Sequence, residues 1–210
     1  MPADSKRATA FPPLLFRLLL TAFAIFLLTR LGAPSETPPA VAPPVVADAK
    51  RIAVAGHSTG PQRLGNIAVR SVLNVPAAMS YGDFVWDDEG VPPGTVSVRV
   101  DIAAQTLSVF RGGHEIGTAV ILYGANEKPT PAGTFTILEK RKDHFSNLYH
   151  APMPYMLRLT NDGIAIHGSE VREGAATHGC VGVPLEFARL LFEQVRIGDQ
   201  VSLTAPPRRS

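Results

Sequence analysis

The chain has one cysteine, Cys180, inside the run Thr177-His178-Gly179-Cys180-Val181-Gly182-Val183-Pro184. A second histidine, His167, ends the apolar run Ile164-Ala165-Ile166 thirteen residues earlier and is followed by Gly168. Cysteine acyl chemistry needs a thiolate, a base that generates it, and donors for the oxyanion that forms. An imidazole beside a thiol lowers its pKa and holds the ion pair. Gly179 lets the backbone approach a ligand, so the amides of Gly179 and Cys180 can face a developing negative charge. On this reading Cys180 is an activated, solvent-reachable thiol. Two other readings use the same residues. A lone thiol can be a small buried apolar side chain. Alternatively, His167, His178 and Cys180 with a water make a catalytic zinc set, and the protein is then a metallohydrolase. His57, His114, His144 and His150 follow no pattern, and the carboxylates form no acid-base pair.

Positioning these groups requires short strands and turns. Val96, Val98, Val100 and Ile102 alternate with polar residues, which is the period of a half-buried strand. Leu107 to Phe110 reads as the next strand. Arg111-Gly112-Gly113-His114 supplies a glycine turn into Ile116 to Tyr123. Further strands are expected at Gly133 to Leu138, Tyr155 to Leu159, Gly163 to His167 and Val201 to Leu203. Pro184 suits a first helical turn, and Phe187, Leu190, Leu191 and Val195 recur at helical spacing. One amphipathic helix is therefore expected over Leu185 to Gln194, stopped by Gly198. The fold class is mainly β: a sandwich or partly closed barrel with that helix packed on it.

Composition narrows the partners. Among 210 residues, 20 Lys and Arg oppose 18 Asp and Glu, a net charge of +2 that gives no footprint for nucleic acid. A single cysteine excludes an intramolecular disulfide and a multi-cysteine metal cluster. Lys6 and Arg7 precede an apolar stretch bracketed by Arg17 and Arg30. Residues 1–33 therefore read as a signal peptide or membrane anchor, with the rest exported from the cytoplasm. The prolines after Ala33 and Ala42 make poor cleavage sites and favour the anchor. Residues 34–46 form a proline-rich linker that holds a domain away from the cytoplasmic membrane. Residues 47–93 read as an irregular lead-in, and 94–205 as the catalytic domain.

The wording of the motif carries further. His167-Gly168 followed by Thr177-His178-Gly179-Cys180 resembles the signature of the L,D-transpeptidase catalytic domain. Val98 to Phe110 resembles the opening hairpin of that family. Thr130-Pro131-Ala132-Gly133-Thr134-Phe135 is similar to its Thr-Pro-x-Gly-x-Phe element, and Met153-Pro154-Tyr155 to its methionine-proline-aromatic strand. The resemblance implies a β-rich sandwich and a reaction on peptidoglycan stem peptides in the periplasm or cell envelope, with no cofactor and no metal. It implies that Cys180 attacks between the third and fourth residues of a stem tetrapeptide, releases D-alanine, and passes the acyl group to an amine. By the same resemblance His167 is the base, the Gly168 carbonyl orients it, and His178 with the Gly179 and Cys180 amides serves the oxyanion. Thr177 stands where serine is commoner, and Tyr155 falls at the substrate cleft. With water as acceptor the activity becomes that of an L,D-carboxypeptidase, and with a lipoprotein lysine that of an anchoring enzyme. A chain that has lost activity would be a peptidoglycan-binding scaffold. One departure bears on substrate: many members have arginine where this chain has Gly182, so Arg158, Arg172 or Arg189 becomes the candidate partner for a substrate carboxylate.

Overall fold

A computed structural model describes residues 51–54, 62–64, 67–75, 78–125 and 128–204, within the compact unit Pro43–Ser210. The expected anchor or signal over 1–33 and the linker over 34–46 lie outside the described residues. Among the described residues no helix is long and apolar enough to cross a membrane.

Alternating valines make the first long strand. In β6 (Val96–Asp101) every second residue is buried, with Val98 and Val100 fully inside. Asp101 Oδ1 accepts from the amides of Ala103 and Ala104, which turns the chain into β7 (Thr106–Arg111). A Gly112-Gly113 turn with φ +59° and +87° leads into β8 (His114–Val120). The carboxyl-terminal β16 (Gln200–Thr204) runs parallel to β6 and antiparallel to β9 (Gly133–Thr136). The amino-terminal part adds β1 (Arg51–Ala53), β4 (Ser71–Leu73) and β5 (Phe84–Trp86). The resulting sheet has the order β1-β4-β8-β7-β6-β16-β9, with β5 also on β8. It stays open and does not close into a barrel. Two strands of the same region, β2 (Gln62–Leu64) and β3 (Ile67–Val69), pair only with each other.

The expectation of an irregular lead-in over 47–93 therefore needs correction. Its described residues contain five strands, three of which belong to the main sheet. Each is only three residues long, too short for an alternation to stand out from the surrounding Gly and Pro.

The second sheet carries His167 and leads out of Cys180. It has the order β10 (Glu139–Arg141), β13 (Met156–Arg158), β14 (Ala165–Gly168) and β15 (Val181–Val183). A small hairpin, β11 (Phe145–Ser146) with β12 (Ala151–Pro152), lies between β10 and β13 in sequence. The helix α1 spans Leu185–Gln194 as its periodicity predicts, and Phe187, Ala188 and Leu191 are its buried side. Pro184 sits at the N-cap, Val195 is already extended, and Gly198 serves the next turn rather than the helix end. Side chains of both sheets and of α1 meet in one core that includes Val98, Leu107, Ile116, Ile166, Val181 and Leu191. Phe187 fixes α1 to β5 by edge-on contacts with Phe84 (5.8 Å) and Trp86 (5.4 Å). Burying one such ring contributes about 1.5–3 kcal/mol.

Glu115 on β8 is buried, and its carboxylate accepts the Leu73 amide of β4 at 2.9 Å. Burial pushes its pKa up, opposed by hydrogen bonds from Ser108 and Leu73. The folded state thus favours the protonated acid, so this contribution to stability is complete at low pH and is lost as pH rises through the raised folded value. Glu115→Gln keeps an acceptor for Leu73 without a charge. In thermal melts from about pH 4 to about pH 8, the variant is expected to gain on the natural chain as pH rises. A constant difference would refute the burial argument.

Candidate active site

The parallel pairing of β14 with β15 builds the site. Its register sets Ile166 opposite Val181, His167 opposite Gly182 and Gly168 opposite Val183. Side chains alternate across a strand. Ile166, Val181 and Val183 face the core, and a Cβ on Gly168 would meet Leu185, Pro154 and Ala188 on the helix side. The other face carries Ala165, His167 and Gly182. Continuing that alternation back one step from Gly182 brings Cys180 to this face, beside Ala165. Packing agrees: Cys180 clusters with Ala165, Met153 and Met156. His167 and Cys180 therefore share a face, offset by two residues of strand, about 7 Å.

His167 has a defined tautomer. Its Nδ1 lies 3.0 Å from the Gly168 carbonyl, which can only accept, so Nδ1 carries the hydrogen. The Ser169 hydroxyl oxygen, 3.3 Å away, shares it. Nε2 keeps its lone pair and is free to take a proton. Burial pushes the imidazole pKa down, reinforced by His144 and opposed by the Gly168 hydrogen bond.

Cys180 is 8 % exposed, and its thiol donates to the Gly163 carbonyl at 3.8 Å. Burial pushes its pKa up, while the Ala165 amide and the Lys128 charge favour the thiolate and Asp162 opposes it. The thiol is thus buried rather than solvent-reachable. Desolvation disfavours the charged form of each group, so burial opposes a standing thiolate and imidazolium.

The turn before Cys180 is clamped from both ends. The Thr177 hydroxyl donates to the Cys180 carbonyl at 2.6 Å, which accounts for a hydroxyl residue at this position. Thr177 donates its amide to Tyr123 and accepts from Ala125, and Gly182 exchanges both backbone bonds with Leu122. Gly179 has φ +103°, and a Cβ there would lie 2.7 Å from Ile164 Cδ1. Only glycine holds that conformation without strain. His178 projects into solvent, with its ring stacked on Tyr149 at 4.5 Å. Tyr155, expected at the cleft, packs edge-on against Phe192 of α1 at 5.7 Å, on the helix side of the sheet. Among the described residues no three His, Cys, Asp or Glu side chains converge as a ligand set, so the zinc reading of His167, His178 and Cys180 finds no geometry here.

Sequence reasoning passed over several residues. Gly124 lets the 122–125 segment touch the turn before Cys180: a Cβ there would collide with the Lys128 carbonyl and lie 2.8 Å from Gly179 Cα. Thr130, noted only as part of the Thr-Pro-x-Gly-x-Phe element, is buried, and its hydroxyl accepts the Gly124 amide at 2.8 Å. Ser169 bonds His167, and Tyr149 stacks on His178. None stands out by periodicity. The signal available was a glycine or hydroxyl next to a motif.

Of the three arginines considered in place of one at 182, Arg158 and Arg189 are engaged elsewhere, and Arg172 is exposed with a loose approach to Glu170. Arg158 pairs with Glu139 at 2.8 Å, Arg172 approaches Glu170 at 3.9 Å, and Arg189 pairs with Glu186 and Glu193 at 2.6 Å each. Nor is there room for a side chain at 182. A Cβ would stand 2.8 Å from Ser169 Oγ and 2.9 Å from its Cβ, with Leu122 in ordinary contact.

Two outcomes follow from this geometry. Gly182→Ala is expected to cost about 1–3 kcal/mol in urea unfolding. Most of that penalty should vanish when it is measured against a Ser169→Gly background; a penalty unchanged there would exonerate Ser169. Alkylation of Cys180 by iodoacetamide in the folded protein should rise only on the alkaline side of an ordinary thiol, about 8.5. In denaturant the profile should return to the ordinary range. A plateau reached on the acid side would mean that the resting pair is ionised.

The described geometry can be set beside known proteins. The family model of the L,D-transpeptidase catalytic domain matches residues 95–203. L,D-transpeptidase 1 of Mycobacterium tuberculosis is 27 % identical over 133 residues, 55 % of this chain and 53 % of that protein. The probable L,D-transpeptidase 3 of the same organism is 27 % identical over 104 residues, 41 % of this chain and 38 % of that protein. The chain thus spans about half or less of the length of the curated relatives it matches. The crystal structure of an L,D-transpeptidase from Stackebrandtia nassauensis superposes with a TM-score of 0.50 at 26 % identity, covering 57 % of this chain and 60 % of that one. With its motif segments joined on one sheet edge and the family model matching from the first long strand to the last, this chain belongs to the L,D-transpeptidase catalytic-domain family.

Proposed function

We propose that the protein is a peptidoglycan L,D-transpeptidase with Cys180 as nucleophile and His167 as general base. What supports this most is one observation: His167 and Cys180 share a sheet face while Nδ1 of His167 is committed to the Gly168 carbonyl. With burial disfavouring both charged forms, the proton moves as attack occurs. Nε2 takes the Cys180 proton while sulfur bonds to the carbonyl carbon between the third and fourth stem residues. The carbonyl oxygen becomes an oxyanion facing the Gly179 and Cys180 amides, with His178 at the same turn. Collapse breaks the peptide bond, and the imidazolium returns its proton to the departing D-alanine amine. A thioester remains. An acceptor amine then gives a proton to His167, attacks the thioester, and releases Cys180 as the thiol. The thioester conserves the energy of the broken bond, so these steps need no nucleotide. We further propose that residues 1–33 export the domain and hold it at the inner membrane, with 34–46 as spacer and the domain acting in the cell envelope.

The test is acylation of the full chain by a stem tetrapeptide, read by intact mass and peptide mapping. A thioester on Cys180 is expected, and Cys180→Ser should give none. His167→Ala should slow acylation by about 10²–10⁴-fold. A slowing of less than tenfold would move the base elsewhere. Adding an amine acceptor should yield crosslinked peptide; a product hydrolysed whatever amine is present would make the enzyme a carboxypeptidase. Peptide bound without any acylation would leave only the scaffold.

A further inference from the structure

A donor tetrapeptide ends in a carboxylate one residue beyond the bond to be cut. It calls for a cation near the turn that carries Cys180. Arg158 and Arg189 are tied to carboxylates, and Arg172 is an exposed side chain with a loose 3.9 Å approach to Glu170. Lys128 is packed against that turn. Its amide donates to Ala125 at 2.9 Å, which returns the chain onto the turn beneath it. The Lys128 side-chain stem and carbonyl lie against Gly179: a Cβ on that glycine would be 3.7 Å from Lys128 Cγ and 3.7 Å from its oxygen. The ammonium donates to the Tyr149 hydroxyl at 2.8 Å, and the Tyr149 ring lies flat on His178, with 14° between planes. Lys128, Tyr149 and His178 thus form one continuous array beside the residue that precedes the nucleophile. Among the described residues no carboxylate forms an ion pair with Lys128.

Donor arithmetic says what the array lacks. An ammonium has three N–H donors, and Tyr149 takes one of them. The Tyr149 oxygen, having accepted that bond, still has its own O–H to give. Two ammonium hydrogens and one phenolic hydrogen are therefore left without a carboxylate in hydrogen-bonding reach, although the Asp162 charge acts on Lys128 from further off, and a carboxylate with two oxygens can accept from both groups.

We propose that Lys128 and Tyr149 form the subsite for the terminal carboxylate of the donor stem peptide, taking over on a loop the charge that Gly182 cannot carry on the strand. This rests on the donor-peptide reading of the Cys180 site. The Tyr149 hydrogen bond holds the lysine pKa above its ordinary value, so the cation is present throughout the neutral range. The Lys128 charge also favours the Cys180 thiolate. A bound carboxylate offsets that charge, so the array serves recognition first.

Binding tests this separately from catalysis. Full-length protein carrying Cys180→Ala is titrated calorimetrically with a stem tetrapeptide and with its terminal carboxamide. The free acid should bind about tenfold more tightly, the scale of one charge-assisted hydrogen-bonded contact at a part-exposed site. Lys128→Met should erase the preference, Lys128→Arg should keep most of it, and Tyr149→Phe should reduce it. Equal affinity for acid and amide in the Lys128 protein, or a preference that survives Lys128→Met, overturns the subsite. So does failure to bind either peptide. Thioester formation by the natural chain is followed in parallel: acylation without any carboxylate preference removes this subsite alone, and carboxylate-dependent binding without acylation removes the catalytic reading alone.

Discussion

The site depends on one piece of backbone pairing, the parallel register of β14 and β15. A slip of β15 by a single residue would turn Cys180 toward the helix side and leave His167 on the opposite face, because side chains change face at every step. Parallel neighbours cannot be joined by a tight hairpin, and here the crossover is the segment from Ser169 to Cys180. Its ends are fastened at both strands. Ser169 donates its amide to Val183 at 2.8 Å, Gly182 pairs on its other side with Leu122, and the Thr177 hydroxyl closes the turn on the Cys180 carbonyl. Each bond is modest alone. Together they leave the strand ends one pairing, and the sulfur inherits its place from it.

That placement has an electrostatic consequence. Cys180 is packed among Met153, Met156 and Ala165, and His167 lies in the same poorly solvated edge. Moving a thiolate and an imidazolium there from water is unfavourable for each, and burial outweighs the nearby amide and lysine. A neutral thiol is a weak nucleophile toward small oxidants and adventitious electrophiles. In the proposed mechanism it becomes a strong one when a carbonyl is delivered beside a base whose lone pair is already oriented. Orientation comes from Nδ1, whose hydrogen is spent on Gly168 and Ser169. The fold thus supplies alignment rather than a preformed charge.

Much of this was legible in sequence, for identifiable reasons. The Leu185–Gln194 helix has a clean apolar stripe behind a proline, and it appears with its expected bounds. The valine alternation of β6 and the glycine turn before β8 have equally direct signals. The motif brought His167, Thr177, His178, Gly179 and Cys180 to notice, though not their burial, which is a property of neighbours far along the chain. Strands β10, β11 and β12 escaped because they are two or three residues long and carry charged or exposed side chains. β15 escaped because Val181-Gly182-Val183 has a glycine at its centre and is recognisable as a strand only beside β14. Tyr155 has φ +56° and its ring lies edge-on to Phe192 of the helix, a contact that no pattern in its own segment announces.

Gly182 joins these threads. A side chain there and a hydroxyl at 169 compete for the same volume, since a Cβ at 182 would stand 2.8 Å from Ser169 Oγ. With glycine, Ser169 is left within reach of His167 Nδ1, and the strand loses its place for a cation. With a long basic residue, the cation would be on the strand and Ser169 would have to move off the imidazole. The second close approach, at Gly124, brings Lys128 against Gly179 from the opposite side of the turn. Both glycines give up side-chain contacts, and both allow three backbones to meet beside Cys180. An imidazole held at Nδ1 by two oxygens and a cation presented from a loop are, in this chain, consequences of the same economy of space.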